Sequence, residues 1–389
     1  MNESARQPAA RPGWTESALW MGCSFPALWR ILASNRFRVD AAYWPECLVD
    51  LLFAAGNSAL GAVHGVIYRQ ALAKVRLGVD PVFIIGHWRT GTTLLHELLA
   101  LDPRLRAPTN YECLVPNHFL LSGTWLRGWT SFTLPRTRPP DSMQVTWDSP
   151  QEDEFALCNL GVPSPYARIA FPNEGPQNGA YLELDSLSEE ARGRWEQSLL
   201  LFFKQLTYAR QGRLVLKSPT HTFRVPTLAR MFPEAKWIHI VRNPFAVFSS
   251  TVRLWRSLYE AYGYQRPRYD GLEEEVMETF ARMHARLEAS RGLTAKGGIL
   301  DVRYEDVVRE PVANLRRIYA ALQLGDFEIV QPVVEQYLAE RRSYVPNRHS
   351  VNPRFADEIR ARWRPYFERY GYSLEDGAVI GDDVPEDGE

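Results

Sequence analysis

The sequence predicts an α/β fold, with a parallel central sheet flanked by helices and a helical region ahead of it. Three observations carry that reading. Pro81-Val-Phe-Ile-Ile85 is a short continuous apolar run ending at Gly86, as a buried parallel strand does. A tight loop then leads at once into TTLLHELLAL, residues 92–101, which is rich in helix formers. Three more short β runs follow at long intervals, with helical stretches rather than hairpin signals between them.

Taken in order, residues 1–15 are polar with Pro and Gly and read as an arm. Residues 16–78 read as helices, from apolar positions at mixed three- and four-residue spacing. The later strands are placed at 214–216, 237–241 and 299–302, and the helices at 188–210, 223–232, 244–260 and 272–291. The stretch 103–180, rich in Pro, Gly, Asn and Trp, reads as long substrate-side loops with one helix near 150–160. The organisation expected is an N-terminal arm and helices over 1–78, a main α/β domain over 79–372 with that insert, and an acidic, disordered tail over 373–389.

Segment 48–68, LVDLLFAAGNSALGAVHGVIY, comes nearest to a membrane span. Asp50, Asn57 and His64 interrupt it, so a buried or amphipathic helix is the first reading and peripheral membrane contact the second.

Composition narrows the function classes. The chain has 389 residues, 45% of them apolar, and a net charge of −1. That charge hides an asymmetry: residues 375–389 hold seven acids and no base, leaving 45 basic against 39 acidic residues elsewhere. The body suits an anionic ligand, but no basic run supports nucleic-acid binding. Cys23, Cys47, Cys113 and Cys158 are widely spaced with no C-x-x-C pair, which fits free thiols in a reducing cytoplasm and no metal site. No signal-peptide pattern opens the chain.

The chemistry gathers at predicted strand ends. Gly86-His-Trp-Arg89-Thr90-Gly91-Thr92-Thr93 joins a strand to a helix N-terminus, where loop N–H groups and the helix dipole favour an anion. A nucleotide-hydrolase P-loop would carry Lys directly after the second Gly; Thr92 stands there, and the cation is Arg89 instead. Arg242 ends another strand, with Ser250 eight residues on, and the two can converge on one phosphate. Lys217 ends a third strand, where an ammonium can follow charge growing on a leaving oxygen.

Together these segments resemble the PAPS-dependent sulfotransferases, which use 3′-phosphoadenosine 5′-phosphosulfate (PAPS) on a P-loop-like fold. The resemblance covers about 80–330. It implies that Gly86, Arg89, Thr90, Gly91, Thr92 and Thr93 hold the 5′-phosphosulfate. It also implies that Arg242 and Ser250, in IVRNPFAVFSS, hold the 3′-phosphate, and that Lys217 is catalytic. Tyr304, in VRYED, resembles a residue near the adenine, with Glu305 and Asp306 read as caps of the helix that follows. Arg at 89 and Leu at 94, where many cytosolic members carry Lys and Trp, favour the bacterial branch. No clear R-K-G motif completes the 3′-phosphate site; Arg341, Arg342 and Arg348 are unranked substitutes.

In-line attack needs a base for the acceptor proton. Glu112, 23 residues after Arg89, leads because the resemblance implies a catalytic Glu at a comparable distance in several branches of the family. Glu152 and Glu154 are the rivals, although Ser149 and Glu152 also read as a capping box with Pro150 at the first helical position. His87 and His221 are further candidates.

The expected reaction moves a sulfuryl group from PAPS to a hydroxyl or amine, needs no metal, and leaves small-molecule, lipid, carbohydrate and peptide acceptors open. A small-molecule kinase or nucleotide hydrolase is the alternative. The aromatics Trp125, Trp129, Trp147, Tyr166, Trp255, Tyr259, Tyr262 and Tyr264 are read first as core and second as an acceptor groove.

Overall fold

The computed structural model describes residues 18–123, 125–126, 146–295, 298–340 and 353–375. Arg341, Arg342, Arg348, Trp129, the arm 1–15 and the tail from 376 lie outside the described residues. By contacts the chain divides into two compact units. One lies within Met1–Leu77, Pro108–Gln211 and Leu254–Asp270, the other within Gly78–Ala107, Gly212–Arg253 and Gly271–Glu389.

The second unit holds the sheet. Its strands are β1 Val82–Ile85, β2 Leu105–Arg106, β3 Arg213–Lys217, β4 Lys236–Val241 and β5 Ile299–Arg303, all parallel, in the order β2-β3-β1-β4-β5. Alternate residues serve opposite faces. Val82, Ile84, Val215, Ile238 and Ile240 pack with Leu95, Leu98 and Leu99 on one side. On the other, the Phe83 ring stacks on Trp237 with centroids 4.8 Å apart and meets Phe232. Burial on both faces is why these strands read as unbroken apolar runs.

β2 is the strand the sequence reading missed. It is only two residues long, and it is placed by its surroundings. Arg213 N–H donates to the Arg104 carbonyl at 3.0 Å, while the Arg104 guanidinium forks onto the buried Asp102. Burial pushes the Asp102 carboxyl up, but hydrogen bonds from Arg104 and Tyr319 outweigh it and hold the group below its ordinary value.

The first unit is helical. Its longest helix, Trp44–Lys74, contains segment 48–68 and takes the amphipathic form of the two expected, buried or amphipathic. The residues that break its apolar run are the ones facing inward. Asp50 accepts from the Tyr264 hydroxyl at 2.6 Å, Asn57 donates to the Met21 carbonyl at 2.7 Å, and His64 is buried against Tyr68. The large apolar residues Leu48, Leu52, Phe53, Val63, Val66 and Ile67 face outward. The helix is amphipathic with its polar side in.

A correction concerns the 150s. The helix there is Asp153–Leu160 with Glu152 as its N-cap residue, and no side-chain bond caps it, so the Ser149–Glu152 box does not form. Ser149 Oγ instead pairs with Thr146. A capping box does form at Asn110–Leu114, between Thr109 and Glu112.

Candidate active site

β1 lies at the centre of the sheet, between β3 and β4, so its loop opens where the connections diverge to either side. Ligand sites of parallel α/β sheets form beyond the carboxyl ends of strands at such a point. The loop 86–91 there is strained in a specific way. Arg89 has φ of 69°, a conformation uncommon for a residue with a side chain.

Gly91 has φ of 99°, and a Cβ at this position would lie 2.2 Å from Cδ2 of Tyr304. Only glycine satisfies both the dihedral and the close approach. Gly91 is also the N-cap of helix Thr92–Ala100, and no side chain caps that helix. Its first N–H groups therefore keep their capacity to receive an anion.

Around this loop the second unit assembles the cations expected from sequence. Arg89 Nε donates to Ser250 Oγ at 2.8 Å. Arg242 Nη1 donates to the Arg89 carbonyl at 3.0 Å, and its guanidinium lies over the Tyr304 ring, 4.3 Å from the centroid. Lys217 Nζ donates to Thr93 Oγ1 at 3.3 Å. Lys217 is 2% exposed, a costly place for an ammonium unless charge or hydrogen bonds answer it. Arg89, Arg242, Ser250 and Tyr304 form one connected set beside Gly91, and Lys217 with Thr93 forms a second pair at the first turn of the loop helix.

Other expected residues sit differently. The Thr90 hydroxyl and N–H both bond the His87 carbonyl, so Thr90 closes the loop's own turn. Glu305 does not cap its helix: Oε1 accepts from Asn243 N–H at 2.8 Å and Oε2 from the Tyr372 hydroxyl at 2.9 Å, tying down the segment after β4. Asp306 pairs with Arg309.

Several supporting residues were not foreseen. Thr222 Oγ1 bridges the N–H and carbonyl of Gly86, and Thr251 Oγ1 bonds the Trp88 carbonyl. The Tyr366 hydroxyl accepts from Arg242 N–H at 3.1 Å. A hydroxyl poised to meet a segment 124 to 163 residues away leaves no local signature.

Both histidine candidates are enclosed. His87 is buried, which pushes its imidazole down to about 4 against a smaller upward effect of the Trp88 carbonyl. His221 packs edge-on against Phe83. His96, on the inner side of the loop helix itself, is held at about 3, first by burial and then by the nearby Lys217.

The carboxylates all belong to the first unit. Glu112 Oε2 accepts from Thr109 N–H at 2.9 Å and from Thr109 Oγ1 at 3.0 Å. Glu152, half-buried, accepts from the Tyr166 hydroxyl at 2.6 Å. Glu154 is buried and accepts from Ser164 Oγ at 2.5 Å. Trp147, Tyr166, Tyr259 and Tyr264 are buried as core residues, while Trp125 is exposed.

A family model described as "Sulfotransferase family" matches residues 81–328. Proteins of Mycobacterium bovis and Mycobacterium tuberculosis named omega-hydroxy-beta-dihydromenaquinone-9 sulfotransferase Stf3 are each 40% identical over 361 residues, 92% of this chain and 93% of theirs. Among solved structures, sulfotransferase STF9 of Mycobacterium avium superposes with a TM-score of 0.65 at 17% identity, covering 91% of this chain and 98% of its own. Sulfotransferase STF1 of Mycobacterium tuberculosis gives 0.62 at 16%, covering 92% and 100%. The fold is the P-loop-like one of those enzymes, and the kinase alternative falls away. The chain belongs to the sulfotransferase family, and its chemistry is transfer of a sulfuryl group.

Proposed function

We propose that the donor is PAPS, held by the loop 86–93, and that the acceptor is a hydroxylated isoprenoid-quinone lipid. The observation that carries the donor assignment is the constellation around Gly91. An uncapped helix N-terminus, a cradle that a single Cβ would fill, and three converging cations fit a nucleotide with phosphates at both ends. When bound, PAPS supplies the sulfuryl group and a phosphate leaving group.

In this reading Arg89 and Lys217 stabilise charge on the departing phosphate, together with loop N–H groups. Arg89 and Lys217 need no large rearrangement, since Ser250 and Thr93 already hold them. Arg242 and Ser250 anchor the 3′-phosphate, and Tyr304, whose ring lies against the Arg242 guanidinium, sits near the adenine. Gly86, Thr90 and Thr92 shape the loop. No residue is assigned to a metal.

Glu112 is the proposed base, positioned by Thr109 at the start of a short helix. Glu152 is the second reading, favoured by its half-exposed carboxylate and its bond from Tyr166. Glu154 is set aside because it is more fully enclosed, 1% exposed against 9% for Glu112, and is held by Ser164.

The acceptor class rests on 40% identity along nearly the whole length of proteins named for a hydroxylated menaquinone. Such an acceptor fits a cytoplasmic enzyme that meets a membrane peripherally, through segment 48–68. The test is radiolabelled sulfuryl transfer from PAPS to an ω-hydroxylated isoprenoid quinone, set beside phenol, carbohydrate and peptide acceptors. Labelling of the quinone lipid above the others is expected; preference for a soluble acceptor would overturn the lipid assignment.

A further inference from the structure

The helix Trp44–Lys74 turns its apolar side away from the unit it belongs to. Leu48, Leu52, Ala55, Ala59, Ala62 and Val66 recur at spacings of three and four, a single stripe along the helix, and every one of them is exposed. Phe53, Val63 and Ile67 widen that stripe. By length and composition this helix could cross a bilayer, yet Glu46, Asp50, Asn57 and His64 are buried on its other side. A spanning helix would have to carry those groups into lipid. Lying along a surface, it keeps them where they are.

Charge at the end of the stripe identifies the surface. Within residues 44–76 the only acids are Glu46 and Asp50, and both are buried. Arg69, Lys74 and Arg76 are exposed and make no ion pair among the described residues. Lys74 lies two turns beyond Ile67 on the same side of the helix. The exposed face is thus apolar along its length and cationic at one end.

An aromatic group stands beside it. Phe25 N–H donates to Ser58 Oγ at 2.8 Å, which fixes helix Phe25–Ser34 against the long helix. Exposed Phe25 stacks on exposed Trp29, which meets exposed Phe37 edge-on at 5.1 Å. Aromatics of this kind settle at the headgroup level of a bilayer.

We infer that the long helix is a monotopic docking face for an anionic lipid bilayer, lying in the interface with Leu48–Ile67 against the acyl boundary and Arg69, Lys74 and Arg76 among the headgroups. The inference deepens the membrane contact proposed above, but it rests on the first unit's own surface and not on the quinone assignment. A second copy of the chain is the competing occupant, since small residues along the stripe would also suit helix packing.

The test is flotation of the full chain with vesicles of phosphatidylcholine alone or with about one third phosphatidylglycerol, an anionic fraction of the kind cationic segments read. The protein is expected to float with the anionic vesicles, less so at high salt. The double variant Leu52→Glu, Val66→Glu is expected to lower the bound fraction at least about tenfold. Binding of 3′-phosphoadenosine 5′-phosphate should be unchanged in that variant, which shows that it is folded.

Replacing Arg69, Lys74 and Arg76 by Gln should remove the preference for anionic vesicles. Failure of the wild type to float, equal flotation by the Glu variant, or a dimer in light scattering that the Glu variant dissolves would each overturn the docking face. A protein that floats yet labels no quinone sinks the acceptor assignment alone. One that labels dispersed quinone yet never floats sinks the docking face alone.

Discussion

Arg89 and Ser250, 161 positions apart, meet through a 2.8 Å hydrogen bond from guanidinium Nε to serine Oγ. The bond joins the loop after β1 to the helix Pro244–Tyr262 after β4. It holds in one place a cation proposed for the 5′ end of the donor and a hydroxyl proposed for the 3′ end. Arg242 completes the arrangement by bonding the Arg89 carbonyl. In the proposed reading the two phosphate sites are mechanically coupled through this bond, so a change in one is expected to be felt in the other.

Lys217 gives the sharpest separation of chemistry from binding. It is buried at the end of β3 with Thr93 as a hydrogen-bond partner. Lys217→Met should lower kcat by roughly 10²–10³, the scale of losing one preorganised charge-stabilising donor. Affinity for 3′-phosphoadenosine 5′-phosphate should change much less. Rapid-quench turnover with calorimetry would check this; equal losses in both would place Lys217 in binding only.

Gly91→Ala tests the cradle. The new methyl would meet the Tyr304 ring at 2.2 Å in a backbone conformation with φ of 99°. Loss of donor binding is expected, with about 1–2 kcal/mol of stability lost to the dihedral alone. Adding Tyr304→Ala should relieve the clash but not the dihedral, so recovery of stability by thermal melting should be partial. Full recovery, or no loss at all, would contradict the geometry.

The two carboxylates are separable by kinetics. If Glu112 is the base, Glu112→Gln should reduce kcat about 10²–10⁴-fold and flatten the acid limb of the pH–rate profile, whereas Glu152→Gln should leave the limb in place. The reverse pattern would transfer the role to Glu152. Thr109→Ala provides the control, because it weakens the capping box while keeping the carboxylate.

Stability should fall on mild acidification. Burial depresses His87, His118 and His284 to about 4 and His96 to about 3, below the usual value near 6.5. Between those limits the unfolded chain binds protons that the folded chain does not, so unfolding free energy declines as pH drops from about 6.5 toward 4. Urea midpoints at pH 7 and pH 5 read this directly. An unchanged or higher midpoint at pH 5 would mean that these imidazoles protonate freely in the fold.

The strands most legible in sequence are those in the middle of the sheet. β1, β3 and β4 read as apolar runs because neither side meets water, while β5, at the sheet edge, is only half-buried over most of its length and carries Asp301 within its run. β2 could not be read, since two residues set in place by the Arg104 carbonyl carry no pattern of their own. The inverted long helix was hidden for a different reason: periodicity separates two faces but does not say which one turns inward.

For the site, the spacing of glycines and cations marked residues that the fold brings close to the loop after β1, because few residue types allow such a turn or carry such a charge. Thr222, Thr251 and Tyr366 were not, because any hydroxyl in the right place would serve. Thr109-x-x-Glu112 is a capping-box spacing as plain as Ser149-x-x-Glu152, and only the former closes.

The most direct test of the donor site is calorimetry of 3′-phosphoadenosine 5′-phosphate binding to wild type and to Arg242→Ala. Wild type should bind, and the variant should lose about 10–100-fold in affinity, the range for charge-assisted hydrogen bonds to one group. No binding by the wild type, or equal affinity in the variant, would contradict the assignment of this constellation to PAPS.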